Sequence, residues 1–421
     1  CDPNSATNRL MTYNANTKRW RGLCMKYPNG NYKPVGQFQV NADNLRVSVF
    51  GYLIDSTVTR YGGVLRAPMK YLGPRQFDKN FNLLPTANPD AEWDKTTGVF
   101  LGNPQSGNAS YGDQGYGQSG AINYINKFGT LAGTTYANNN SNTRYKGFDP
   151  LSELYYESIR YLQGKQPTPQ AVSGMTDTNK ERFPAYGTWV DPFAGFEDST
   201  GDANTCLRNS ILTIADTFTH RDKSVPGNTI TTDGDFIRAA ESSPTLDVQF
   251  WSDVVGSFES DGGKSYTDSK GRTQSASNLA SNTKYPALAN AGTLNTGSTN
   301  GSFHIAGLAY WANTQSFRTD LPKGRITTYG IDVNENRASD DVNFRRQRQI
   351  YLAAKYGGFD DKLAGNTGNP FAKGNNLLWQ DVADGDAKNY FLGSDAQKFL
   401  DSIADVFAKV VEETGSIAGG A

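Results

Sequence analysis

Residues Asn209–Pro226 read NSILTIADTFTHRDKSVP, and their character changes abruptly halfway along. The first part, Ile211–Ala215, is apolar, rich in β-branched residues and too short for a helix, which predicts a buried parallel strand. The polar run Asp216–Asp222 follows directly, and open α/β sheets bind their ligands at the carboxyl ends of the strands. We therefore expect a ligand-binding crevice at the carboxyl end of this strand. The residues predicted to bind there are Asp216, Thr219, His220 and Asp222. The alternative is that the Asp216 carboxylate only caps a turn.

The rest of the second half alternates between strand and helix patterns. A second apolar run, Arg325–Asp332, also ends on an aspartate, and Asn343–Tyr356 and Ser394–Gly415 have helical periodicity. Ser394 and Gln397 form a candidate capping box for the last helix. Alternating strands and helices predict an α/β fold, with a parallel sheet that helices cover.

An earlier helix is predicted from its end signals. Asp149 is a suitable N-cap, Pro150 suits the first helical position, and Gly164 ends the apolar stripe that lies between them. Two long stretches lack such patterns, residues 73–143 and the Ser- and Gly-rich residues 257–302. We expect both to be insertions into the α/β fold.

The composition excludes several classes of protein. The 421 residues carry 41 basic and 42 acidic side chains, a net charge of −1, and no basic block of the kind that binds nucleic acid or an anionic membrane. The mean hydropathy is −0.60. No apolar run approaches the roughly 18 residues of a membrane span. We therefore expect neither a nucleic-acid partner nor a transmembrane segment.

Three cysteines bear on the compartment in which the protein works. Cys1 and Cys24 flank a short segment that a disulfide would close in an oxidising environment, which leaves Cys206 over. The alternative is three free thiols. We favour the Cys1–Cys24 bridge and hence a secreted protein.

Two short motifs suggest oxygen ligands for a cation. The acidic loop 381–386 places Asp381, Asp384 and Asp386 around a glycine, a spacing that suits Ca²⁺ although it lacks a complete twelve-residue ligand loop. The run 55–59, DSTVT, follows a predicted strand and offers one carboxylate and several hydroxyls. A solvated turn is the alternative for each motif.

Catalysis has little support in the sequence. The chain has only two histidines, His220 and His304, and lacks the G-x-S-x-G and H-E-x-x-H motifs. An acid–base pair of His220 with a neighbouring carboxylate defines a hydrolase as the alternative. We expect a protein that is not an enzyme.

Several phrases occur together in an order that is typical of one family. They are 60–70 (RYGGVLRAPMK), 214–227, 305–313, 320–322, 329–333, 352–359 and 384–391. Together they resemble the amino-terminal half of PilC/PilY-type type IV pilus tip proteins, across nearly the whole chain.

This resemblance implies a fold. It implies a single von Willebrand factor A-like domain over residues 1–421, a doubly wound parallel sheet with helices on both faces and insertions at 73–143 and 257–302. We expect the carboxy-terminal β-propeller of the family to be absent from this chain. The A-domain metal motif D-x-S-x-S does not occur in the sequence, and Asp216 matches the later aspartate of that metal site. The start at Cys1 falls inside the family pattern, so we expect the first core strand to come from another chain or from sequence outside these residues.

The resemblance also implies a function. Family members act in pilus biogenesis and as tip adhesins, which predicts an extracellular protein at the pilus tip that acts by binding. The partners it implies are minor pilins, a receptor on a host cell or abiotic surface, and the protein's own propeller. Calcium is the one cofactor that we expect. A secreted hydrolase and a surface-layer structural protein are the alternatives.

Overall fold

A computed structural model describes residues 1, 10–17, 19–54, 60–78, 80–130, 149–194, 207–229, 231, 236–259, 264–267, 273–276, 301–373, 375–382 and 385–418. The DSTVT motif at 55–59, Cys206, Asp384 and most of the insertion at 257–302 lie outside these residues. No helix in the described ranges is both long and apolar enough to cross a membrane.

The strands are, in chain order, β1 (Thr12–Asn14), β2 (Arg19–Arg21), β3 (Cys24–Lys26), β4 (Tyr32–Pro34), β5 (Arg46–Gly51), β6 (Val64–Tyr71), β7 (Asn209–Ala215), β8 (Glu241–Ser242), β9 (Thr245–Leu246), β10 (Lys264–Thr267), β11 (Thr273–Ala276), β12 (Ile326–Asp332) and β13 (Tyr390–Leu392). The helices are α1 (Gln37–Val40), α2 (Ala121–Thr130), α3 (Leu151–Leu162), α4 (Pro169–Val172), α5 (Val248–Phe258), α6 (His304–Thr314), α7 (Val342–Arg345), α8 (Gln349–Gly358) and α9 (Ala396–Ala418). A 3₁₀ segment spans Glu335–Asp340.

A parallel sheet of three strands organises the second half of the chain. Its order is β13-β12-β7, and Asp332 at the end of β12 lies beside Ala215 at the end of β7. Both apolar runs therefore lie in one sheet, but only the β12 run is buried as predicted; in β7 only Thr213 is buried and Ile214 is exposed. The predicted α/β class with a parallel sheet is confirmed, whereas the finer von Willebrand factor A-like class stays a prediction.

Helices cover both faces of the central strand β12. Gly330 faces α8 so closely that a Cβ atom there would lie 2.9 Å from the Ile350 side chain. Its neighbour Ile331 points to the opposite face and is fully buried near Gly393 and α9. The main apolar core forms on the α8 side, where α3, α5, α6 and α8 pack together.

The first half is built from short antiparallel pairs of strands. β1 pairs with β2, β3 with β4, and β5 with β6. The long stretch that begins at residue 73 contributes isolated bridges and then α2, so it is irregular as expected where the structure describes it. The amino-terminal strands contact α9, because Arg21 pairs with Asp401 and with Asp405 and the Phe38 ring meets Phe407 at 5.3 Å.

Two helix predictions are wrong in detail. The helix expected over 343–356 is two helices, and Arg345 and Arg346 at the break between them bind Asp386, which lies 41 and 40 positions further along the chain and is indicated by no local pattern. The last helix continues past Gly415 to Ala418. The Asp395 carboxylate accepts from the Lys398 amide at 2.9 Å, so Asp395 rather than Ser394 caps it.

The Cys1–Cys24 disulfide is confirmed, with 5.8 Å between the Cα atoms. We predict that reduction loosens only the segment that this bridge closes, since the rest of the core does not depend on it. Thiol titration of the unfolded protein should find one free thiol per chain before reduction and three afterwards. Limited proteolysis should then cut first within residues 1–34. Three thiols before reduction would contradict the prediction.

Candidate functional site

The carboxyl ends of β7 and β12 form one crevice. Asp216 follows β7 directly, and Glu335 lies three residues beyond the end of β12. Asp149, just before α3, and His220 complete a group of four partly exposed side chains that we call the crevice cluster. Parallel strands deliver their carboxyl ends to the same edge of a sheet, which is why residues distant in sequence meet here.

Asp149 lies at the centre of the crevice cluster. Its carboxylate lies 2.5 Å from Nδ1 of His220, and its other oxygen is buried against Asp216. Two carboxyl groups form a hydrogen bond only when one of them keeps its proton. Asp149 Oδ2 and Asp216 Oδ1 are buried and have no hydrogen-bond donor among the described residues, so this contact favours a protonated pair.

Burial sets the protonation of this pair. Loss of solvation raises the pKa of Asp149 to about 8 and, helped by repulsion from Asp149, the pKa of Asp216 to about 9. Burial also lowers the pKa of His220 below its usual value, although the neighbouring carboxylates oppose that shift. At neutral pH the imidazole is uncharged and the acid pair retains its protons.

Strained backbone flanks the crevice cluster. Asn334, Asn336 and Arg337 have φ values of 59°, 51° and 60°, and Arg221 on the opposite loop has 47°. Such left-handed conformations cost on the order of 1 kcal/mol each for residues other than glycine, and they tend to cluster at functional sites. Asn334 is held in place because its side chain bonds Asp340 and the Ser339 amide.

Asp332 lies behind the crevice cluster and is fully buried. Its carboxylate accepts hydrogen bonds from Tyr390 at 2.9 Å, Ser339 at 2.6 Å and Thr217 at 3.1 Å. These contacts join β12, β13 and both loops of the crevice. Asp216 and Asp332 therefore lie at the same edge of the sheet, while Asp55 lies outside the described residues.

The four residues predicted to bind are divided between two positions. Asp216 and His220 are in the crevice cluster, whereas Thr219 and Asp222 are buried at 1% and 0% exposure. Both Asp222 oxygens bond inward, one to the Ser302 amide at 2.6 Å and the other to the Ser152 hydroxyl at 2.7 Å. Asp222 thus ties α3 to α6 and is not placed to contact a ligand.

Two members of the crevice cluster, Asp149 and Glu335, are not predicted as site residues from the sequence. Asp149 is interpreted as the N-cap of α3, but Pro150 occupies that position and no side chain caps the helix. The sequence pattern of an aspartate before a proline is identical for a residue that caps a helix and for one that points into a crevice. Glu335 follows a strand by three residues in a polar turn, a position shared by many solvated carboxylates.

The crevice cluster supplies oxygen and nitrogen atoms that suit a cation, but the Asp149–Asp216 proton would have to leave first. Across the described part of the chain, no three His, Cys, Asp or Glu side chains are grouped in a way that holds a metal. The metal role of Asp216 therefore stays a prediction.

In the acidic loop 381–386, arginine side chains bind one of the predicted calcium ligands. Asp386 binds the Arg345 guanidinium at 2.7 Å and the Arg346 guanidinium at 3.1 Å, and Asp381 is exposed. Calcium at this loop has to compete with two cations for the Asp386 carboxylate. Since Asp384 is outside the described residues, the calcium site formed by Asp381, Asp384 and Asp386 also stays a prediction.

Calcium binding is tested by its effect on thermal stability. If the acidic loop binds calcium, adding it stabilises the fold by about 2.7 kcal/mol at a hundredfold excess over Kd, because the ion prefers the native state. Thermal scans should show a higher Tm, and Asp384→Asn should weaken the gain while Asp216→Asn leaves it unchanged. A gain that only Asp216→Asn abolishes places the ion in the crevice, and no gain in any protein refutes calcium binding.

Comparison with known proteins shows the family. A family model described as "PilY1 homolog, second domain" matches residues 57–312. A type IV pilus biogenesis factor, a PilY1 homolog of Xylella fastidiosa strain Temecula1, is 33% identical over 410 residues. That match covers 93% of this chain and 30% of the relative. No solved structure matches. The chain belongs to the PilY1 family of type IV pilus proteins.

Proposed function

We propose that this chain acts by binding at the tip of a type IV pilus, outside the cell, and that the crevice cluster lines its binding site. The observation that carries the proposal is the partly buried Asp149–Asp216 pair in the crevice, whose raised pKa values make it a cost to folding at neutral pH. Perturbed pKa values of this kind cluster at functional sites, which supports a binding role for the crevice. The strained residues Asn334, Asn336 and Arg337 beside the pair add a second cost at the same place.

The proposed partners follow from the family. The relative's name assigns it to pilus biogenesis. We propose that the present chain contacts minor pilins, that a receptor on a host cell or abiotic surface occupies the crevice, and that a propeller elsewhere in the natural protein is a further partner. A von Willebrand factor A-like sheet, which binds ligands at the carboxyl ends of its strands, agrees with this position of the cluster.

Hydrolysis is the second candidate, because the His220–Asp149 contact is the pairing that a general base requires. His220→Gln separates the two functions, since glutamine keeps hydrogen-bonding groups but cannot take up a proton at neutral pH. Under the binding proposal, the wild-type protein turns over no polymer, and the variant leaves pilus number unchanged but weakens attachment of cells.

The matched control is Lys362→Gln, an exposed residue beyond the carboxyl end of α8 and hence at the opposite end of the sheet. It should leave both pilus number and attachment unchanged. Turnover of a polysaccharide or protein by the wild type, lost in His220→Gln with attachment intact, would establish the hydrolase instead.

A further inference from the structure

The edge of the parallel sheet at β7 is open. Ala215 directs its carbonyl to the Val333 amide beyond the end of β12, at 3.0 Å. Backbone groups alternate in direction along a strand, so Ile211, Thr213 and Ala215 bond β12, while Ser210, Leu212 and Ile214 direct theirs outward. Within the described ranges, no strand pairs with that outward side.

One face of β7 is also incompletely covered. Ile211 and Ala215 pack against the main core, but Leu212 and Ile214 lie on the other face, where α9 contacts β12 and β13. Ile214 is 47% exposed, although Ile331 beside it in the next strand is fully buried. On this face of the sheet, apolar side chains therefore cover β12 fully but leave β7 partly exposed.

Nothing in β7 protects the open edge. Edge strands in natural proteins usually carry a lysine, a proline or a bulge that prevents pairing with other chains. The seven residues NSILTIA have none of these, and β7 pairs with β12 in unbroken register. Such a strand is suited to the interior of a sheet.

We propose that β7 receives a fourth, extended strand from the same natural protein, contributed by the domain that family members place ahead of the second domain. This strand hydrogen-bonds Ser210, Leu212 and Ile214, and its apolar side chains extend the cover over Leu212 and Ile214. Main-chain hydrogen bonds hold the added strand and its alternate side chains determine its register.

Two observations identify this occupant. The longer stretches outside the described residues, 131–148, 195–206 and 277–300, are rich in Asn, Ser, Thr and Gly and lack a β-branched apolar run. The family model is described as a second domain, and the match to the relative covers only 30% of that protein. The relative thus has ample polypeptide outside the matched region, and our proposal assigns the added strand to the corresponding part of the natural protein.

Hydrogen exchange of individual amides tests the added strand. In the 421-residue chain, the amides of Leu212 and Ile214 should exchange at least 100-fold faster than those of Thr213 and Ala215, which bond β12. In the full-length natural protein all four should be protected alike, and protection should not change on tenfold dilution. Rapid exchange at Leu212 and Ile214 in both proteins overturns the proposal. Protection that fades on dilution, or that the 421-residue chain already shows, overturns it in favour of a second copy.

A proline pair provides the matched variants. Leu212→Pro removes an outward N–H that β12 does not use, so the urea midpoint of the 421-residue chain should barely change. Thr213→Pro removes a bond to β12 and should lower that midpoint clearly. In the full-length protein, Leu212→Pro should expose the Ile214 amide to rapid exchange. Equal loss of stability from both variants in the 421-residue chain would show that the outward N–H is already paired, and would overturn the proposal.

Discussion

Replacing Asp222 by alanine is expected to lower the free energy of unfolding by about 3 kcal/mol, because each buried donor left without an acceptor costs about 1–3 kcal/mol. The carboxylate is fully buried and accepts from the Ser302 amide, the Ser152 hydroxyl and, at 3.4 Å, the Ser152 amide. Alanine leaves these donors without that acceptor in a fully buried site.

The Asp222→Asn variant is the control. It keeps one carbonyl oxygen for Ser302 or Ser152 and should lose roughly half as much stability. Urea unfolding at pH 7 measures both variants. A change below about 0.5 kcal/mol for alanine would mean that Asp222 does not hold α3 to α6, and would return it to the candidate ligands of the crevice.

The neighbouring Asp216→Asn substitution is expected to act in the opposite direction and to stabilise the protein by about 3 kcal/mol at pH 7. The folded pKa of Asp216, about 9, lies above the value near 3.9 of an unfolded aspartate, so folding takes up a proton at pH 7. Each pH unit above 3.9 costs about 1.4 kcal/mol per such proton. This cost, summed over the pH units between 3.9 and 7, is the upper limit of the gain. The side chain of the partner Asp149 is 22% exposed to solvent, and we therefore expect a gain smaller than this limit.

The sign of the pH dependence follows from the same shift. Because the folded pKa values are raised, the contribution of the Asp149–Asp216 pair is fully present below about pH 3.9 and is lost as pH rises towards 8 or 9. On acidification from pH 7 to 5, the wild type should thus gain stability from the pair. Asp216→Asn should show a shallower slope of stability against pH, because its folding takes up about one proton fewer. Urea midpoints at each half pH unit measure the two slopes. Parallel slopes would show that the pair is ionised in the folded state.

The sequence predicts those parts of the fold that depend on local patterns. The β-branched run of β7 and the apolar run of β12 are visible without a structure, and the apolar stripe of α9 identifies that helix. The disulfide near the amino terminus follows from the cysteine spacing.

The missed features depend on contacts between distant residues. Asp149 contacts Asp216, which lies 67 positions further along the chain. Arg345 and Arg346, at the break between α7 and α8, bind Asp386. Neither interaction changes the local periodicity on which prediction relies. Asp222 illustrates the opposite error, since its place in a polar run after a strand suggests exposure, whereas the fold turns its carboxylate inward.

The most direct test of the crevice as a binding site is the attachment of cells whose protein carries Asp216→Asn, scored with the number of surface pili and the stability of the purified variant. We expect a protein more stable than wild type and a normal number of pili, together with attachment that falls at least tenfold. A stabilised variant that loses function separates a binding defect from a folding defect. Normal attachment by a variant with that gain in stability would contradict the assignment of the crevice cluster as the binding site.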